Sequence, residues 1–111
     1  MHIRHWSEAT ASAPLPGVAK RILIGPEEGA PFSMRLFELA PGASSPHHRH
    51  PWEHEIFILD GEGTALAPGG EEAPLRSGSV LFIRPDEEHR LTNTGRAPLR
   101  FLCLVPAGAE A

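Results

Sequence analysis

The chain has 111 residues, of which 41% are hydrophobic and 22% charged, with a formal net charge of −4. That is enough for one domain with a modest core and too few for two, and the composition is that of a globular protein, not a disordered one. The charge leaves no basic footprint for nucleic acid, and no apolar run approaches the ~20 residues needed to cross a bilayer.

The N-terminus, Met1-His2-Ile3-Arg4-His5-Trp6, lacks the apolar stretch of a signal peptide, so a cytoplasmic protein is expected. Residues 1–18 are rich in Ala and Pro with weak periodicity. They read as an arm that is irregular or pairs with a partner, ahead of a barrel over 19–106 and a tail over 107–111. The segment from Pro106 to Ala111 is expected to fray.

From there the chain is punctuated by 12 Pro and 11 Gly falling between short apolar stretches. Alternation predicts strands over 20–24, 33–39, 54–59, 64–67, 80–83, 89–92 and 99–105. Turns fall at Gly25-Pro26, Pro41-Gly42, Asp60-Gly61, Pro68-Gly69-Gly70, Ser77-Gly78 and Thr94-Gly95. Many short strands with frequent turns indicate an all-β barrel or sandwich. Few windows carry a helical period.

Cys103 is the only cysteine, which excludes an intrachain disulfide and a cysteine-based zinc site. Asn93 is the only side-chain amide. Thermophilic proteins show that bias, and a GC-rich genome favours the same Ala, Gly, Pro and Arg usage.

The chemistry is concentrated in histidine. Of seven, five lie in two stretches: His47, His48, His50 and His54, then His89. On an extended strand His48 and His50 point to one side, while His47 and Arg49 point to the other. Pro51-Trp52 must bend or end that strand, because proline cannot donate to a ladder. After the bend His54 opens an apolar strand whose alternation runs through Ile56, Ile58 and Asp60. A third imidazole can thus return to the same point, and His89 can bring a fourth. A loose surface histidine tract is the rival reading, and the abutting Ile56-Phe57-Ile58-Leu59 argues against it. His2, His5 and His47 fit no constellation and read as solvated.

These residues carry a resemblance to the cupin family. Gly42, five residues, His48-Arg49-His50, three residues, His54, six residues and Gly61 resemble the first cupin motif, with His54 where the family usually has Glu. Gly78, Pro85, His89 and Asn93 resemble the second, although Pro85 sits one place late and Glu87 stands where glycine is expected. The run from His48 to Gly61, with 20–25, 34–37 and 101–106, is similar to small manganese-binding, four-histidine monocupins of hyperthermophilic bacteria. The resemblance covers about 20–106. It implies a double-stranded β-helix barrel and one divalent metal per chain on His48, His50, His54 and His89. It points to manganese, then iron, with copper or zinc as further options.

Four neutral imidazoles leave the metal its full positive charge, which favours an anion on it, and an octahedral set leaves two positions open. Imidazoles alone bind copper and zinc more tightly than manganese or iron. Glu53 and Glu55 flank His54, and alternation points both away from its face. They are read as surface charges or as groups that orient an imidazole. On the last strand Phe101, Cys103 and Val105 share a face, and by resemblance that face lines the pocket. Arg35, set among Met34, Leu36 and Phe37, either reaches the pocket to bind an anionic substrate or pairs at the surface with a carboxylate such as Glu38.

The function expected first is a metal-dependent oxidoreductase using dioxygen or peroxide on a small, largely apolar molecule. A binding or sensing module and a metal-dependent isomerase or lyase are the alternatives. The partners expected are a small-molecule substrate and a second copy of the chain. The dimer contact is expected where 20–24 and the N-terminal arm add to a neighbouring sheet edge.

Overall fold

The computed structural model describes residues 1–109. Among them the regular elements are nine strands and two short 3-10 turns, Trp6–Glu8 and Pro26–Glu28. The strands are β1 (Ala11–Leu15), β2 (Val18–Ile24), β3 (Phe32–Leu39), β4 (His54–Asp60), β5 (Glu62–Leu66), β6 (Glu72–Arg76), β7 (Val80–Ile83), β8 (Arg90–Asn93) and β9 (Leu99–Pro106). They form a six-stranded antiparallel sheet in the order β1-β2-β3-β9-β4-β7 and a three-stranded one in the order β6-β5-β8. The fold is all-β, as the alternation implied.

Alternation decides which face is inward. On β9 Leu99, Phe101, Cys103 and Val105 are buried, while Arg100, Leu102 and Leu104 lie on the other face and are only partly covered. Cross-strand register carries the inward face across the sheet: Arg35 lies opposite Cys103 and Phe37 opposite Phe101 on β3, with Ile56 and Ile58 opposite the same two residues on β4. Ile56, Ile58, Phe101 and Cys103 meet Leu75, Ile83 and Leu91 in one core cluster, with Phe37 packed against it. Burying Ile58, Leu39 and Leu99 fully gives that cluster its centre.

Four sequence-based expectations change. The arm over 1–18 is neither irregular throughout nor dependent on a partner: β1 pairs antiparallel with β2 of the same chain. Ahead of it Arg4 donates to the carbonyls of Ile22 and Leu23, and Trp6 sits between the guanidinium groups of Arg21 and Arg100 at 5.1 and 5.0 Å. Consequently β2 has a strand on both sides and offers no free edge to a neighbour. The tail is held as far as it is described, since Pro106 closes β9, Ala107 N–H donates to Pro31 and Ala109 is buried. Residues 110 and 111 lie outside the described residues. Finally, alternation on β4 breaks at a register shift after Ile58, so Asp60 turns outward and pairs with Arg100, 3.5 Å away.

Two strands escape sequence reading, β1 and β6. Both stand at the end of a sheet, both contain proline, and each buries at most part of one face. An edge strand tolerates proline because one side of its backbone needs no ladder partner. It also lacks the alternation that reveals a half-buried strand.

Candidate metal centre

His48 and His50 lie on the extended chain that follows β3. His48 forms a two-way backbone bridge with His89, its N–H donating to His89 at 3.3 Å and its carbonyl accepting at 3.0 Å. Pro51-Trp52 turns the chain so that His54 begins β4. The turn leading to His89 takes a left-handed conformation at Asp86, φ 64°. Counted back from His89, the glycine of the second motif falls at Asp86 and not at Glu87, and aspartate tolerates the left-handed backbone better than most residues, which is how this turn forms without it.

The folding brings three imidazoles together. One ligating nitrogen from each of His48, His50 and His89 lies within 4.8 Å of the others. Nε2 of His50 and Nε2 of His48 are 3.0 Å apart. Nitrogens bonded to one metal at roughly 2.0–2.1 Å and at right angles would sit about 3.0 Å from each other. The His89 Nδ1–H donates to the Glu87 carbonyl at 2.9 Å, leaving Nε2 with its lone pair for the interior. Trp52 stacks flat on His50, centroids 4.5 Å apart and planes within 5°, and fixes that ring.

His54 stands beside this group, its ring 5.0 Å from His89 and 5.3 Å from His50. It is buried, and its Nε2 has no hydrogen-bond partner. Its other nitrogen, Nδ1, lies 3.3 Å from Cys103 Sγ and 3.5 Å from an Arg35 nitrogen. A proton on Nδ1 finds its acceptor in the Cys103 sulfur and frees the Nε2 lone pair. An orphaned buried nitrogen next to three converging ones fits a cation, because burying such an atom unpaired is costly.

Electrostatics prepare the ring nitrogens for ligation. Burial first, then the neighbouring His50 and His89, holds His48 down to about 4. Burial, then His89 and Arg35, holds His54 down to about 3, and His50 is lowered by burial as well. These imidazoles are neutral at neutral pH, the state that binds metal. Burial pushes the Cys103 thiol up, with Arg35 acting against it, and burial with Arg35 pushes the Lys20 ammonium down.

The four histidines open on a cavity of about 140 Å³ whose walls include Phe37, Ile56, Leu91 and Phe101. Arg35 and Cys103 line it too. Arg35 is buried inside and pairs with no surface carboxylate. Glu38, its proposed surface partner, meets Arg100 at 3.6 Å instead. Val105 shares the inward face of β9 and packs in the core, but is not among the residues lining the cavity. Glu53 and Glu55 flank a separate surface hollow with Phe32 and Leu104, and neither reaches the histidines. His2, His5 and His47 are exposed; His47 pairs with Glu88 at 3.3 Å and His5 caps the first 3-10 turn. A larger open hollow of about 530 Å³ lies between the N-terminal segment and Pro26–Glu28, with acidic and basic walls and no histidine.

Sequence reading missed Pro14, Lys20, Phe37, Trp52 and Leu91. Two of them had a legible signal: Phe37 is two residues from Arg35 on one strand face, and Leu91 two from His89. Pro14 and Lys20 could not be placed without the β1–β2 hairpin.

A family model described as a cupin domain matches residues 35–105. The chain belongs to the cupin family. Among proteins similar to this cupin is an oxalate-binding protein of Thermotoga maritima, 40% identical over 75 residues, or 64% of this chain and 61% of that protein. The tetracenomycin polyketide synthase protein TcmJ of Streptomyces glaucescens is 33% identical over 86 residues, 76% of this chain and 58% of its own length. This cupin therefore spans about three fifths of either relative. The solved polyketide cyclase RemF from Streptomyces resistomycificus superposes with a TM-score of 0.86 at 32% identity, over 96% of this chain and 79% of its own. Cupins this similar differ in what they do, so the family fixes the fold and leaves the function to the site.

Proposed function

We propose that this cupin is a metal-dependent oxidoreductase in which His48, His50, His54 and His89 hold one divalent metal. Manganese is the first choice and iron the next, following the resemblance of the histidine motif. The oxidant is dioxygen or a peroxide, and the substrate is a small, largely apolar molecule. The observation that carries this reading is the unpartnered, buried Nε2 of His54 beside three converging imidazoles, at the wall of an apolar cavity. When bound, the metal supplies a redox-active Lewis-acid centre.

The chain's own residues have simpler tasks. Phe37, Phe101, Ile56 and Leu91 hold the substrate body and keep bulk water away. Glu87 and Cys103 orient His89 and His54 from behind, each through the ring nitrogen that does not face the cavity. Ser45 lines the cavity but accepts from Leu91 N–H, and no carboxylate lines it, so proton transfer by the protein is a minor part of this reading.

Uptake of oxygen or peroxide by protein reconstituted with manganese, iron or zinc tests it. The reading expects turnover with manganese or iron, none with zinc, and loss on His54→Ala. Turnover with zinc alone would move the function to isomerase or lyase chemistry. Tight ligand binding with every metal and turnover with none would make this a binding module, a reading the oxalate-binding relative favours.

A further inference from the structure

We infer that the ligand of the histidine cavity is a small organic carboxylate, whose anionic head is taken by Arg35 and whose apolar body lies against Phe37, Phe101 and Ile56. This deepens the proposed function and rests on its placing the substrate in the same cavity.

Arg35 carries a charge that none of the ion pairs among the described residues answers. Arg35 is only 4% exposed, in the middle of β3 on the sheet's inward face. A guanidinium is always charged and carries five N–H donors. Burying it is expensive unless a carboxylate or a set of acceptors receives it. Here one nitrogen, Nη2, is 3.0 Å from Cys103 Sγ, a weak acceptor, and 3.5 Å from His54 Nδ1, which carries the ring proton and so accepts nothing, and the charge lies 4.9 Å from the Phe37 ring. Nε has no partner.

The cavity deepens the imbalance. Its lining includes Arg35 and four histidines, with no aspartate or glutamate. A divalent ion on neutral imidazoles adds positive charge and brings none of the opposite sign. A natural protein keeps a buried cation in this state where a ligand supplies the anion, and the planar fork of arginine matches a carboxylate with two parallel hydrogen bonds.

Size and walls narrow the class. The volume of about 140 Å³ is close to that of a cavity that admits a benzene ring, roughly 150 Å³. The stacked pair Phe37–Phe101, centroids 5.3 Å apart, faces it with Ile56 and Leu91. An inorganic anion would leave those walls unused, and a neutral hydrocarbon would leave Arg35 unpaired.

Calorimetric titration of the manganese-loaded full chain with benzoate and with its neutral isostere benzamide tests the inference. Arg35→Met and Arg35→Lys are measured alongside, with metal content and circular dichroism recorded for each. Wild type is expected to prefer benzoate over benzamide by about 10- to 100-fold, the range for a charge-assisted hydrogen-bonded pair. Arg35→Met should erase that preference at unchanged metal content, and Arg35→Lys should keep part of it. Equal binding of the two probes by wild type overturns the inference. So does a preference that survives Arg35→Met, or benzoate binding weaker than about 1 mM. Loss of metal from wild type would instead count against the metal centre itself. If Arg35→Met does not fold, the comparison of probes in wild type and Arg35→Lys still decides.

Discussion

Asn93 ends the second motif of this cupin, and a reading confined to motifs would put it near the metal. Its side chain instead ties the barrel together: the amide donates to the carbonyls of Leu39 and Ala97, at 2.9 and 2.8 Å, and its oxygen accepts from Gly95 N–H. It is 1% exposed, so Asn93→Ala would strand those groups away from water. The expected loss is about 2–3 kcal/mol in urea denaturation, with the metal content of the folded protein unchanged. The histidines titrate at the same scale. The unfolded chain takes up protons near 6.5, whereas burial delays this to about 4 at His48 and about 3 at His54 in the folded, metal-free protein. Between those values the unfolded state binds more protons, so stability falls as the pH drops from about 6.5 toward 4 and then 3, and is complete above 6.5. Melting of the metal-free protein by circular dichroism checks this. A Tm that holds steady or rises on acidification through that range would contradict it.

At the scale of elements the decisive feature is the turn between β4 and β5. Gly61 sits there at φ 94°, and a Cβ would come 2.5 Å from the Pro98 carbonyl oxygen. Gly61→Ala is therefore expected to cost more than about 1 kcal/mol, from the left-handed backbone and the collision together. Urea midpoints of the two proteins test that, and an unchanged midpoint would mean the turn can move. The sequence made this turn legible, because Asp-Gly after an apolar strand is a strong signal. Strands with one buried face were legible from their alternation: β7 and β9 alternate throughout, β4 does so up to its register shift after Ile58, and β3 does so apart from the buried Leu36. The histidine pair at 48 and 50, the bend at Pro51 and the return at His54 were legible as well, since strand period and proline chemistry are local properties. What was not legible depends on partners distant in sequence. No local pattern marks β1 or β6, and the outward swing of Asp60 follows from Arg100, which is 40 residues on. The burial of Arg35 is of this kind too: its flanking apolar residues raised the question, and only the register against Cys103 answers it.

At the scale of the whole molecule, the outer side of β4 and β7 stands out. Phe57, Val80 and Phe82 are 45%, 75% and 53% exposed, and Phe57 lies directly opposite Val80. We propose that this cupin forms a homodimer through this face, since β2 has a strand on both sides. Sedimentation at micromolar concentration is expected to give a dimer that Phe82→Glu shifts toward monomer. A wild-type monomer would remove the partner from the account. No helix among the described residues is long and apolar enough to cross a membrane.

The central claim is that the barrel gathers His48, His50, His54 and His89 onto one metal. Metal content per chain of untagged protein, against a His54→Ala variant of equal fold, tests it most directly. The account predicts one tightly held divalent metal, manganese or iron, with occupancy lost or sharply weakened in the variant. No metal in the native chain after reconstitution at neutral pH, or full occupancy without His54, would contradict it.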